Sequence, residues 1–466
     1  MTTARTATPS TARAINDRLA LDLLLERGPL TASDLRALTG LSRPTVADLL
    51  ERLQRSGLVA HAGESAALRR GPNARLYGLV ADRAHLAGID IRASGVSLVV
   101  ADLTGRTLGT ATIAASLPAV SAAPVVDGEE SSGSGDAEAM ESAGCSCGSG
   151  GASRSGGGGA SGLGGSGGGG ASVVTTDGDL LVERTVEALL ATAAEAGAGE
   201  LHTVAVGAPG LVDPATGTLN NSGKLPEWHT KLLAALRSRP GTEVILENEV
   251  NLAGIAEHRI GAAKDRRDFA LIWLGHGVGA SVILDGRLRR GASGGTGEIG
   301  FLPVPGTMGL PDSRKCDGGF HSTVSSAAIC ELAGRHGLKV EPDTEEGTGA
   351  GAEPGVGAGD REPAAGAVVR RAVESGADDF LDELALRIAV GASAICVVLD
   401  PGCVVLGGEI GQAGGPELAS RVERHLSRLS PLATEVRAGT AGGGAVLAGA
   451  VLTAGDAVRR ELFGGD

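Results

Sequence analysis

Residues 271–301, LIWLGHGVGASVILDGRLRRGASGGTGEIGF, constrain this chain more than any other stretch. They open as an apolar strand, break at Gly275-His276-Gly277-Val278-Gly279, resume as a second apolar run and turn again at Asp285-Gly286. Strand, glycine turn, strand and Asp-Gly turn predict a β-hairpin whose tips carry almost no side chain. Bare backbone N–H groups at Gly275, Gly277 and Gly279 can approach a phosphate closely. A plain tight turn explains the same glycines, so their spacing alone does not choose. The following bend, residues 291–300, carries a lone carboxylate, Glu298, among glycines.

The head of the chain differs in charge from its body. Residues 1–83 hold twelve arginines, no lysine and eight acidic residues, a net of +4, whereas the whole chain stands at −14. A basic head on an acidic body points to DNA at one end. A first helix is expected, with Ile15, Leu19 and Leu23 at helical spacing and an end at Gly28-Pro29. Thr31-Ala-Ser-Asp34 resembles a capping box that opens a second helix, closed by Gly40. Ser42-Arg43-Pro44-Thr45 opens a third, with proline in the first turn, where its missing N–H costs nothing. Val46, Leu49, Leu50 and Leu53 form the buried stripe, which leaves Arg43, Thr45, Asp48 and Arg52 outward.

Residues 57–59 then start a strand, and Arg69-Arg70-Gly71-Pro72 leads to another. Three helices and a basic hairpin over residues 11–82 are similar to a winged helix-turn-helix. In that fold the third helix enters the major groove, so Ser42, Arg43, Thr45, Asp48 and Arg52 are its candidates for bases and phosphates. Arg69 and Arg70 in the wing are candidates for phosphate or the minor groove. A small helical interaction module with a solvated basic face is the other reading.

From residue 84 to 466 the pattern is α/β, interrupted by two inserts at about 116–172 and 341–365. Between residues 144 and 170, 15 of 27 positions are glycine, which predicts a flexible loop or linker. Six cysteines lack a framework spacing, so reduced thiols are expected. No run of 18 apolar residues and no secretory leader is visible, which leads us to expect a cytoplasmic protein without a membrane segment.

Several motifs in this body resemble the ROK family of repressors and sugar kinases. They are Gly207-Ala-Pro-Gly-Leu-Val-Asp213, Asn248-Glu249-Val250-Asn251 and Gly297-Glu298-Ile-Gly300, in that order. The resemblance implies a two-lobed, actin-like ATPase fold with a sugar held between the lobes. It places Asn221, Asn248, Glu249, Glu298 and His321 at the sugar site, and Asp90, Gly275, Gly277, Gly279, Gly407 and Gly408 in remnants of the nucleotide loops.

This chain departs from the family pattern at four points. Where family kinases carry Asp-x-Gly-x-Thr, it reads Asp90-Ile-Arg92-Ala-Ser94, which puts a bulky cation in place of a small residue. Arg92 could pair with an anion or be a strand residue facing solvent. The general-base Asp is replaced by Glu249, one methylene longer; displacement by about 1 Å can cost on the order of a hundredfold in rate. As a purely structural residue, Glu249 would cap a helix. Phe301 stands where the family has a zinc-ligating histidine, and Cys316 with His321 cannot complete a tetrahedral site, so no zinc is expected and ATP binding is in doubt. His321 falls where the family has a sugar-binding glutamate; a plain surface histidine is the alternative.

Taken together, these features lead us to expect a repressor, a homodimer or higher homo-oligomer, that binds double-stranded operator DNA, senses a sugar or sugar derivative, and needs no cofactor. The alternatives are an ATP-dependent sugar kinase with an added DNA-binding head, and a constitutive DNA-binding protein with a vestigial cleft.

Overall fold

The computed structural model of the protein describes residues 9–64, 74–92, 95–115, 177–219, 227–307, 309–312, 318–340 and 364–464. Arg69, Arg70, Asn221, Cys316, the first expected insert and most of the second lie outside these residues. The second insert ends slightly earlier than expected, because a helix has begun by Ala364.

The head contains α1 (Pro9–Arg27), β1 (Leu30–Thr31), α2 (Ala32–Thr39), α3 (Arg43–Arg55), β2 (Val59–Glu64) and β3 (Arg75–Leu79), with sheet order β1-β3-β2. Its local rules hold. Thr31 and Asp34 form a reciprocal capping box on α2, and Gly40 closes that helix in the left-handed region. Ser42 caps α3, and Val46, Leu49, Leu50 and Leu53 are buried as their spacing predicts. The face of α1 must be corrected. Ile15 is 60% exposed and Leu19 41%, while Ala20, Leu21 and Leu24 are buried. Helix α1 has apolar residues on more than one side, and only packing against α2, α3 and β3 decides which stripe is covered.

The first lobe is built on β4 (His85–Arg92), β5 (Gly95–Asp102), β6 (Thr107–Ala114), β7 (Thr203–Ala208) and β8 (Glu243–Asn248), in the order β6-β5-β4-β7-β8. Helices α4 (Asp177–Glu195) and α5 (Glu227–Arg237) cover one face. The second lobe repeats this plan with β9 (Phe269–Leu274), β10 (Val278–Leu284), β11 (Arg287–Leu288), β12 (Cys403–Gly407) and β13 (Glu435–Ala438), in the order β11-β10-β9-β12-β13. In both sheets an antiparallel meander is extended by two parallel strands. The Asp285-Gly286 turn joining β10 to β11 has positive φ at both residues, as a two-residue hairpin of this kind requires.

Helices α7 (His321–Val324), α8 (Ser326–Arg335), α9 (Ala364–Ser375), α10 (Asp378–Leu399) and α11 (Gly408–Leu429) enclose the second lobe's core. Two further helices join the halves. Helix α6 (Glu249–Arg259) leaves the first sheet and packs on β9 and β10, and the last helix, α12 (Ala445–Leu462), returns to pack on α6, β4 and β7. Their apolar faces share one buried cluster with both sheets and with α1–α3, so the head and the lobes form one continuous core. The link is also hydrogen-bonded: Val80 N donates to Leu58 O, and Leu103 N to Ala81 O, each at 3.0 Å.

Candidate functional site

Strand β8 ends at Asn248, whose extended backbone makes it the N-cap of α6. Its Oδ1 accepts from Val250 N at 2.9 Å and Asn251 N at 3.2 Å, and its Nδ2 donates to Gly210 O at 3.0 Å. Asn248 thus aligns the start of α6 with the turn after β7. Beneath it the buried Glu247 accepts from Asn248 N and Asn251 Nδ2, both at 2.9 Å, and from Arg290 Nε at 2.6 Å. Arg290 follows β11, so this pair joins the first lobe to the second. Glu247 opens the pentapeptide that sequence points to, but its pairing with Arg290 was not foreseen; 43 residues separate them and no local pattern links them.

Glu249 occupies the first turn of α6, partly open to the cleft. Burial, then the negative charge of Asp90, pushes its carboxyl up to about 8; Arg92 opposes the shift and Glu409 adds to it. A carboxyl so placed carries its proton at neutral pH. The expectation that a structural acid would cap the helix is met by Asn248 instead.

Asp90, at the end of β4, is fully buried and pairs through Oδ2 with Arg92 Nε at 2.7 Å. Arg92 does not simply face solvent. Its Nη2 reaches Gly443 O at 3.4 Å, in the loop before α12. Burial works against its charge, but Asp90, Glu409 and Glu249 together hold the guanidinium above its ordinary value. The same loop is anchored by the buried Glu257 of α6, which accepts from Ala262 N at 2.7 Å, Thr440 N at 3.2 Å and Ala441 N at 2.8 Å. Sequence reasoning passed over Glu257 too.

Two glycines of the expected nucleotide loops have steric reasons. A Cβ on Gly408, at φ 76°, would lie 2.3 Å from Leu274 O, and one on Gly275 would lie 2.4 Å from Glu409 Oε2. Gly407 precedes them as the N-cap of α11, and Gly279 already belongs to β10, opposite Trp273. Gly277 closes the turn by accepting from Gly275 N at 3.1 Å. Glu409, absent from the sequence-derived site, was visible as the acid that follows Gly407-Gly408.

The bend that carries Glu298 is held from both sides. A Cβ on Gly297 would sit 1.9 Å from Ala280 O, and one on Gly294 would sit 2.0 Å from Val212 O of the first lobe. Glu298 is exposed, and a Cβ on Gly300 would contact Cβ of His321 at 3.5 Å. The fold therefore places Asp90, Asn248 and Glu249 at strand and helix ends of the first lobe, and sets the bend that carries Glu298 against Val212 of that lobe with His321 beside Gly300. Among the described residues, no group of three or more His, Cys, Asp or Glu is placed to hold a metal ion.

In the head, Ser42 accepts from Thr45 N at 3.3 Å and shares a hydrogen bond with Thr45 Oγ1 at 2.8 Å, while Arg43 is exposed at the start of α3. Arg52 and Asp48 are not a free outward pair. Arg52 bonds Asp17 of α1 through Nη2 at 2.5 Å and Nε at 3.3 Å, and also contacts Asp48. Its guanidinium is held above its ordinary value first by the Asp17 hydrogen bond.

With this geometry in place, residues 175–456 match the ROK family model. The chain belongs to the ROK family. Residues 15–70 of this ROK protein match the MarR family model. Over 260 residues it is 27% identical to a glucokinase of Streptomyces coelicolor, covering 52% of this chain and 79% of that protein. Over 105 residues it is 33% identical to the DNA-binding transcriptional dual regulator NagC of Escherichia coli, covering 22% of this chain and 26% of that protein.

Solved structures extend the likeness to the whole architecture. A ROK family transcriptional regulator described as a homolog of the E. coli MLC protein superposes with a TM-score of 0.64 at 17% identity, covering 97% of this chain and 100% of that one. A Streptomyces griseus ROK glucokinase, in complex with glucose and AMPPNP, gives 0.51 at 23% identity, covering 79% of this chain and 99% of that one. The fold is a winged helix-turn-helix followed by the two-lobed, actin-like ROK sugar-kinase fold.

Proposed function

We propose that this ROK protein is a DNA-binding transcriptional repressor whose lobes sense a sugar or sugar derivative without phosphorylating it. The observation that carries this reading is the bonded joint between head and lobes. Residues 80–84 link β3 to β4, and their backbone is hydrogen-bonded to Leu58 on one side and Leu103 on the other. A shift of the first lobe is thereby passed to the helices that present Arg43 and Thr45.

In this mechanism an unphosphorylated polyol enters near Asn248, Glu249, Glu298 and His321, and the lobes close around it. In a homodimer, closure changes the spacing of two α3 helices on paired operator half-sites. A coupling of about 1–3 kcal/mol changes occupancy several-fold to a hundredfold. The reading assigns no metal or nucleotide to the cleft. The closed Asp90–Arg92 pair and the longer Glu249 both disfavour phosphoryl transfer.

The second reading, a sugar kinase with a DNA-binding head, draws on the glucokinase relatives. Anisotropy of labelled DNA from upstream of the protein's own gene, at two salt concentrations and with a sugar panel, tests the first. Specific binding shifted by one sugar is expected. Transfer of phosphate from ATP to hexoses or amino sugars, read as ADP and sugar-phosphate formation at rates typical of a kinase, would replace it by the second.

A further inference from the structure

The related glucokinase of S. griseus is in complex with glucose and AMPPNP, and the residues of this chain can be tested for fit to a metal–nucleotide at the junction of its lobes. They do not fit one. At the end of β4 the buried Asp90 is already engaged: Arg92 Nε lies 2.7 Å from its Oδ2. The other end of the same guanidinium reaches across to Gly443 O at 3.4 Å, in the glycine run that leads into α12. Glu409, from the first turn of α11, and Glu249, from the first turn of α6, both act on this guanidinium electrostatically. One cation therefore sits against the buried carboxylate of Asp90, with Glu409 of α11 acting on it from further off.

We propose that Arg92 is a resident counter-ion, its guanidinium occupying the carboxylate of Asp90 in place of a divalent cation and tying the end of β4 to the loop before α12 through Gly443. A metal ion reaching Asp90 must either displace this side chain or share the carboxylate with a second positive charge. Arginine stays charged at any pH at which the protein is folded, so the exclusion is permanent and not regulated. The consequence is a cleft closed to metal–nucleotide at its Asp90 end. This deepens the non-kinase part of the proposed function but does not depend on DNA or sugar binding.

The test is Mn²⁺ titration of the full chain, followed by electron paramagnetic resonance and by thermal shift, on wild type, Arg92→Ala, Arg92→Gln and the double variant Arg92→Ala/Asp90→Asn. The expected result is weak binding by wild type, binding roughly tenfold tighter or more in both single variants, and loss of that gain in the double variant. Mn²⁺ binding by wild type as tight as by Arg92→Ala would overturn the proposal. So would a folded Arg92→Ala that gains nothing. If Arg92→Ala does not give a native circular-dichroism melt, Arg92→Gln, which keeps most of the side-chain volume, decides by the same criterion. Failure here leaves the regulator reading intact, because that reading stands or falls on the DNA anisotropy.

Discussion

Arg290 and Glu247 hold the two lobes together at the floor of the cleft, Arg290 Nε donating to Glu247 Oε2 at 2.6 Å. The two partners are not equivalent. Glu247 is buried and also receives Asn248 N and Asn251 Nδ2, whereas Arg290 is largely open to solvent. Glu247→Ala strands two N–H donors as well as the guanidinium and is expected to cost about 2–3 kcal/mol. Arg290→Ala leaves the carboxylate with two donors and is expected to cost about 1 kcal/mol. Urea denaturation of both variants checks the ranking; a larger loss for Arg290→Ala would show that the charge of Glu247 depends on its partner alone.

In the head, two of the three arginines of α3 are predicted to separate by assay. Arg43 is exposed at the start of the helix, so Arg43→Ala should weaken DNA binding and lower the salt slope by roughly 1 while leaving stability unchanged. Arg52 is held between Asp17 and Asp48, so Arg52→Ala should destabilise the protein by about 1–2 kcal/mol, with the salt slope nearly unaltered. Anisotropy and thermal melts on the same two proteins would show it. An unchanged melt for Arg52→Ala would mean that the Asp17 contact contributes nothing.

What the sequence made legible was local. The caps at Thr31 and Ser42, the left-handed Gly40, the α3 stripe and the Asp285-Gly286 turn each depend on residues within one turn of one another. The face of α1 was not legible, because Ile15-Leu19-Leu23 is as regular a stripe as Ala20-Leu21-Leu24 and only the neighbouring helices choose. At the site, the motifs brought Asn248, Glu249 and Glu298 into view, but not what each would touch. Arg92 and Gly443 are 351 residues apart, and the carboxylate cage of Glu257 closes over loops more than 180 residues away. Such contacts follow from two sheets of the same strand order facing each other across α6 and α12. No periodicity within either sheet announces that arrangement.

His229 gives the first pH prediction. It is buried on α5, edge-on to Trp228 with ring centroids 4.1 Å apart, and burial pushes its pKa down to about 4. Between the unfolded value near 6.5 and about 4, the unfolded chain binds more protons than the native one. Stability from this group is therefore present above pH 6.5 and lost as pH falls through that window, by up to about 3 kcal/mol. His229→Leu should flatten this acid limb. Urea midpoints taken from pH 4 to 7 would sink the idea if wild type and variant kept parallel slopes.

Glu249 titrates in the opposite sense. Its folded pKa, near 8, lies above the ordinary value of 4.5, so the native protein binds the extra proton between these limits. The associated stability is complete below pH 4.5 and is lost as pH rises through 8, by a few kcal/mol at most, since the group is partly open to the cleft. Glu249→Gln reproduces the protonated form, and is expected to remove this slope and to be more stable than wild type at pH 8. The same variant separates the two functions. A kinase using Glu249 as base would lose ADP and sugar-phosphate formation with the glutamine. A sensor that uses the protonated acid only as a hydrogen-bonding group should keep its sugar response on DNA at pH 7, because the glutamine amide still donates. Retention of that response, together with a flattened pH profile, is the outcome expected of a repressor whose cleft binds without catalysis.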